Sequence, residues 1–136
     1  MRGTVQACVA AGQFGKQNVW ARQFNPENEG THIVNDGGKL WILGLKTECG
    51  GTLVETKNGG ATEVLGGFSY TTTAGKSAPM FVLDNAQGSF VFREVNFNGD
   101  PFTAIVQATR NGQTKILPNS DAAWGSGFTL YSAHGG

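Results

Sequence analysis

Charge of one sign never accumulates in this sequence. Ten Lys and Arg balance ten Asp and Glu, the formal net charge is zero, and no basic run occurs. Nucleic-acid binding draws its affinity from clustered cations facing phosphates, so it is not expected. Long apolar runs are missing too, and nothing approaches the roughly 18 residues of a membrane span. Residues 1–12 hold one Arg and the small-residue stretch Val9-Ala10-Ala11-Gly12, without a continuous apolar core, so no signal peptide is expected there. Cysteine is scarce. Cys8 and Cys49, with His32 and His134, fall at wide, unmatched spacings that give no zinc pattern. Two separate thiols are the default reading, and a disulfide is the alternative. Spacing yields no Ser-His-Asp or Cys-His set, and Gly12-x-x-Gly15-Lys16 lacks the first half of a phosphate loop.

What the sequence has in quantity is glycine, 21 residues, beside 39% apolar residues among which Phe and Val are frequent and Met is rare. That mixture suits short strands joined by tight turns. A chain of 136 residues with this apolar fraction builds one domain around one core.

A repeat runs through it. Val19–Phe24, Leu40–Leu45, Glu63–Phe68 and Phe90–Val95 align, with a fainter match at Lys115-Ile116-Leu117. Their last positions are spaced by 21, 23, 27 and 22 residues. Between them recurs a second strand: Thr31-His32-Ile33-Val34, Thr52-Leu53-Val54-Glu55, Met80-Phe81-Val82-Leu83 and Ala104-Ile105-Val106-Gln107. Turn formers follow each time: Asp36-Gly37-Gly38, Asn58-Gly59-Gly60, Asn85-Ala86-Gln87-Gly88 and Asn111-Gly112. A period of about 22 residues with sharp turns is one coil of a solenoid. The expected fold is all-β, a right-handed single-stranded parallel β-helix (β-solenoid) of about five short coils over 1–117. Residues 118–136, with Trp124, Phe128, Leu130 and Tyr131, are read as a tail that caps an end or lies along a face. The long third spacing predicts a projecting loop at 71–78. An antiparallel sandwich is the competing fold.

The runs Asn18–Glu27, Leu40–Glu48 and Glu55-Thr56-Lys57-Asn58-Gly59-Gly60 resemble the C-terminal coils of bacterial proteins of the pectate-lyase-like superfamily. The resemblance covers roughly 15–117. It implies a right-handed β-helix that acts on or binds polysaccharide, and it leaves an extracellular location open.

Superposing the coils turns sequence into surface. Ala21, Ile42, Leu65 and Phe92 are expected in one interior column, and Phe24, Leu45, Phe68 and Val95 in another. Truncating Leu65 to Ala would then cost roughly 2–5 kcal/mol. Strand alternation places Trp20, Trp41, Val64 and Val91 outward, an apolar stripe with Leu43 nearby. This register turns Glu63 inward, against its charge. The stripe reads as a surface covered by the tail, as a homo-oligomer interface (dimer or trimer), or as an aromatic platform for sugar rings. Arg93 and Glu94 read as a surface charge pair and as further ligand or interface candidates. His32, in an apolar strand, reads as a structural histidine. Glu27, Glu48, Thr71 and Asn98 share a turn column. Neighbouring carboxylates repel unless a cation or hydrogen bonds intervene, so Glu27 and Glu48 are the candidates for calcium, beside the plainer reading as solvated turn residues.

A lyase of this fold needs clustered Asp ligands and a nearby Lys or Arg base. Asp36, Asp84, Asp100 and Asp121 are scattered, with a non-acidic coil between the stacked turns of the first two. No Trp-Ile-Asp-His or Arg-x-Pro-x-x-Arg run occurs. A glycosidase needs two facing carboxylates roughly 5 to 10 Å apart, for which only Glu27/Glu48 and Glu55/Glu63 offer proximity. The expected function is a non-catalytic module that self-assembles and binds carbohydrate. The alternative is a minimal or truncated lyase or glycoside hydrolase acting on acidic polysaccharide.

Overall fold

The computed structural model describes residues 13–27, 29–72, 78–96, 101–119 and 129–133, and no α-helix occurs among them. In chain order the strands are β1 (Gln13–Phe14), β2 (Asn18–Ala21), β3 (Ile33–Asp36), β4 (Lys39–Ile42), β5 (Leu45–Thr47), β6 (Val54–Lys57), β7 (Ala61–Thr71), β8 (Pro79–Asp84), β9 (Gln87–Asn96), β10 (Ala104–Arg110), β11 (Gln113–Leu117) and β12 (Thr129–Ala133). The first sheet runs β1-β3-β6-β8-β10-β11 and the second β12-β9-β7-β4-β2, with β5 also paired to β7. The chain alternates between the sheets, and each return lands parallel beside the previous strand. This is a parallel β-solenoid of about four turns. Pairing of β2 with β4 is parallel, which excludes the antiparallel sandwich.

The turns form where the Asn and Gly residues predicted them. Asn58 and Gly59 have φ of 53° and 75°, a region that Asn tolerates and Gly enters freely. Successive turns also grip each other: the Asn58 side-chain amide donates to Asp36 at 2.6 Å, and the Asn111 backbone amide to Asn85 Oδ1 at 3.0 Å.

Between the sheets lies one apolar core. Ile33, Val54, Phe81 and Val106 stack from the first sheet. Facing them, Phe90 stacks on Phe81 with centroids 4.1 Å apart, and Phe92 meets Phe81 edge-on at 5.2 Å. Gly88 is needed beside this stack, because a Cβ there would lie 2.5 Å from the Phe90 ring.

The interior columns of the second sheet differ from those expected. The observed ones are Ala21, Ile42, Val64, Phe90 and Phe24, Leu45, Gly67, Phe92. Leu65 and Phe68 are 47% and 39% exposed, whereas Val64 is fully buried. Val95 stands level with Tyr70 and is partly exposed. The reason is coil length: β7 follows β4 and β5 at a constant 22 residues, one fewer than the aligned strand ends gave, and a bulge of Leu65 and Gly66 opposite the single residue Val91 then shifts the register of β9 as well. A one-residue slip exchanges the two faces of a strand. Glu63 therefore points outward, in the place assigned to Val64.

The fainter fifth match does not continue the parallel stack. Lys115-Ile116-Leu117 lies in β11, which folds back antiparallel on β10. Asn111 and Gly112, with φ of 50° and 75°, make a two-residue turn of the hairpin kind. The earlier Asn-Gly-Gly turn carries one more residue and passes the chain across to the other sheet. β12 pairs antiparallel with β9, and Tyr131 stacks on Phe90 at 6.1 Å. Both sheets thus end in an antiparallel strand, part of it supplied by the tail. Trp124, Phe128, Asp100, Asp121, the loop core 73–77 and Cys8 lie outside the described residues. Cys49 is buried and disulfide-bonded, which corrects the expectation of free thiols.

Candidate functional site

The outer face of the second sheet is where exposed aromatic and polar groups meet. Trp20 and Trp41 stand level on β2 and β4, their rings 5.1 Å apart and 1° from parallel. Trp20 is 69% exposed. It covers one face of Trp41 and leaves the other looking along the column. The next residues in that column are Glu63, Ser89 and Ser132. A shallow groove of about 230 Å³ follows this line, with Trp41 as one wall and Glu63, Gln87, Ser89 and Ser132 beside it. The arrangement pairs a flat apolar surface with carboxylate, amide and hydroxyl groups at one strand spacing from each other.

Of the residues expected here, Trp20 and Trp41 come together. Val64 does not join them; it belongs to the core. Val91 is partly exposed on the same outer face, but one step along from the column, where Ser89 stands instead. Arg93 also faces outward, level with Phe68 and Lys46. Glu94 overturns the reading of a surface charge pair: alternation turns it into the interior, where it is 5% exposed. Its Oε1 and the neighbouring Ser69 Oγ have no hydrogen-bond partner. Burial pushes the Glu94 carboxyl above its ordinary pKa.

Gln87, Ser89 and Ser132 escaped the sequence reading, and Glu63 entered it only as a hydrolase candidate with Glu55 and as a charge turned inward. One signal pointed to Glu63, since a charge forced inward marks a wrong register. Ser132 carried none, because the antiparallel return of β12 is not part of the repeat.

A second cluster lies further along the face. Lys46 reaches Glu27 at 3.4 Å and also bonds Glu48, whose carboxylate accepts from the Tyr70 hydroxyl as well. The Lys46 ammonium sits 5.1 Å from the Tyr70 ring centroid. Lys46 is thus the cation between the two carboxylates. Hydrogen bonds from Lys46 and then Tyr70 hold Glu48 below its usual pKa, and the bond to Glu48 raises that of Tyr70. Burial opposes the charge on Lys46, but its bonds to Glu48, Tyr70 and Glu27 outweigh this and raise its pKa. Among the described residues, no three His, Cys, Asp or Glu side chains converge as a metal site.

Of the carboxylate pairs named for glycoside hydrolysis, Glu27 and Glu48 share Lys46, and Glu55 and Glu63 separate. Glu55 is on the first sheet and within 3.8 Å of Lys57, whereas Glu63 is on the second. Asp36 and Asp84 are level in the turn column with Lys57 between them. His32 is fully buried; its Nε2–H donates to the Gly50 carbonyl at 3.2 Å, and Nδ1 accepts the Thr47 hydroxyl at 3.0 Å, a structural role.

Compared with known proteins, the chain matches no family model, no curated protein and no solved structure. No helix among the described residues is long and apolar enough to cross a membrane.

Proposed function

We propose that this protein is a non-catalytic solenoid module that binds polysaccharide along the outer face of its second sheet. The observation that supports this most is the stacked pair Trp20–Trp41, solvent-exposed at the head of a groove lined by Glu63, Gln87 and Ser89. An exposed indole keeps apolar area in water, and large exposed apolar area marks binding surfaces. Sugar rings present an apolar C–H face to such a platform and hydroxyls to the amide, carboxylate and hydroxyl groups beside it. The resemblance to coils of the pectate-lyase-like superfamily agrees with a polysaccharide ligand.

Tryptophan fluorescence titrated with soluble hexasaccharides of cellulose, xylan and polygalacturonate tests the reading. The expected result is a saturable change with at least one of them, lost in Trp41→Ala while the circular dichroism is unchanged. Unaltered emission across the panel, or full binding by Trp41→Ala, would overturn it.

The same face supports a second reading, a closed dimer or trimer. Leu43 is 53% exposed and stands level with Leu65, itself exposed, which extends the apolar area beyond the tryptophans. Light scattering at tens of micromolar should then give a multiple of the 14.3 kDa chain mass. Trp41→Glu and Leu65→Lys should restore the monomer. A monomeric mass for the unmodified protein removes this reading.

A further inference from the structure

Two of the described turns carry the same dipeptide, Asn58-Gly59 and Asn111-Gly112, in nearly the same conformation. The φ values are 53° and 75° in the first and 50° and 75° in the second. All four residues are exposed, and a Cβ on either glycine would meet nothing within 4 Å. What separates the pairs is their place in the stack. Asn58 has a turn on each side of it. Its side-chain amide donates to Asp36 Oδ1 at 2.6 Å on one side, and the Gly59 amide donates to the Asn85 carbonyl at 2.9 Å on the other. Asn111 ends the column of described turns. Its backbone amide is held by Asn85 Oδ1 at 3.0 Å. Its side-chain amide and the Gly112 backbone amide have no hydrogen-bond partner among the described residues.

Those two groups can react with each other. In an Asn-Gly pair the glycine nitrogen is the nucleophile and the asparagine Cγ the electrophile. Gly112 has no Cβ to block the approach, and its backbone turns more freely than that of any other residue. At Asn58 the same reaction has first to break two hydrogen bonds, one of them to a carboxylate. Asn85 is a third turn residue of this kind, with φ of 46°, but Ala86 follows it. Its side-chain nitrogen is bonded to Asp84 and its oxygen to the Asn111 amide.

We propose that Asn111 is a self-modification site, converted with water to aspartate and isoaspartate, and that the conversion to isoaspartate releases β11. The Gly112 nitrogen bonds to Asn111 Cγ and the Cγ–Nδ2 bond breaks. The Gly112 proton goes with the departing amide, which leaves as ammonia. Water then opens the cyclic imide at one of its two carbonyls; its oxygen ends in a carboxylate, and one of its protons restores the Gly112 N–H. Opening on the main-chain side leaves the backbone running through Cγ, one carbon longer. Arg110 pairs with Gln113 across a turn of two residues, and turn length sets the register of a hairpin. The longer backbone does not fit that turn, so β11 loses its ladder and frees the edge of β10. This site is separate from the tryptophan face and does not depend on it.

The test is incubation of the full chain at mildly alkaline pH, followed by mass analysis of tryptic peptides. Cleavage at Lys57, Arg93, Arg110 and Lys115 puts Asn58, Asn111 and the remaining pair, Asn98-Gly99, in different peptides. In denaturant Asn58 and Asn111 should convert at similar rates. In the folded chain Asn111 should keep most of that rate, and Asn58 should slow at least about tenfold, the effect of one charge-assisted bond that has to open first. After conversion at Asn111, the amides of Gln113–Leu117 should exchange with deuterium faster, while those of Val54–Lys57 stay unchanged. Asn111→Asp adds the charge without the extra carbon and should leave exchange in β11 as it was. The proposal fails if folded Asn58 converts as fast as Asn111, or if folding protects Asn111 equally. It also fails if converted chains keep the exchange of β11, or if Asn111→Asp loosens that strand as much as conversion does.

Discussion

Two stretches of the interior bury polar side chains to the same depth and treat them differently. Beside the tight turns, Asn35, Thr56 and Thr62 are at most 3% exposed. The Asn35 amide donates to the carbonyls of Gly38 and Ala61 and to the Thr62 hydroxyl, its oxygen accepts the Gly38 amide, and Thr62 bonds Thr56 at 2.8 Å. Farther along the second sheet, Thr47, Ser69 and Glu94 stack in register and are at most 5% exposed. Thr47 has His32, but Ser69 Oγ and Glu94 Oε1 have no partner. A turn interrupts the ladder and leaves backbone groups for side chains to satisfy. In mid-strand the ladder uses those groups already, so a buried side chain there depends on whatever side chain lies next to it. Buried polar groups therefore stabilise a solenoid beside its turns and burden it within its strands.

The largest effect is expected from breaking the satisfied stretch. Asn35→Ala removes these contacts and strands the buried Gly38 amide, whereas the Gly38 carbonyl keeps the Ala61 amide. It should cost about 3–5 kcal/mol in chemical denaturation, against less than half of that for Thr62→Val. Next comes the register that sets which residues lie inside. Val64→Ala should cost about 2–3 kcal/mol and its neighbour Leu65→Ala no more than about 0.5 kcal/mol. Equal losses would mean that this register is wrong.

The unsatisfied stretch should respond in the other direction. The folded-state pKa of Glu94 is raised, so the protein loses stability as pH climbs from the ordinary Glu value, 4.5, through the raised one. Glu94→Gln stays neutral throughout. It should raise the denaturation midpoint at neutral pH by an amount near that of one unmade buried bond, about 1 kcal/mol, and the gain should vanish towards pH 4.5. A gain independent of pH would place the benefit elsewhere. The smallest expected effect is on the exposed cluster. Glu48→Gln should let Tyr70 ionise at lower pH, seen by ultraviolet titration, with the fold unaffected, since its bond to Glu48 is what raises the phenol.

The sequence by itself determined the kind of fold. Turn formers at a period near 22 residues and apolar residues between them admit few structures other than a stack of coils, because Asn and Gly alone take the required backbone angles cheaply. It also brought Trp20 level with Trp41, since the first two coils have the same length and need no bulge. Only the tertiary structure decided the rest. The ladder between the second and third coils steps by 22 residues where the aligned strand ends gave 23, and that one residue puts Val64 inside and Leu65 outside. Whether Asn111-Gly112 sends the chain across or back depends on which strand is there to pair with it. The groove beside Trp41 is completed by Ser132 of β12, a strand outside the repeat. Its place is set by pairing with β9 across more than thirty residues of chain, and such long-range pairing leaves no periodic trace.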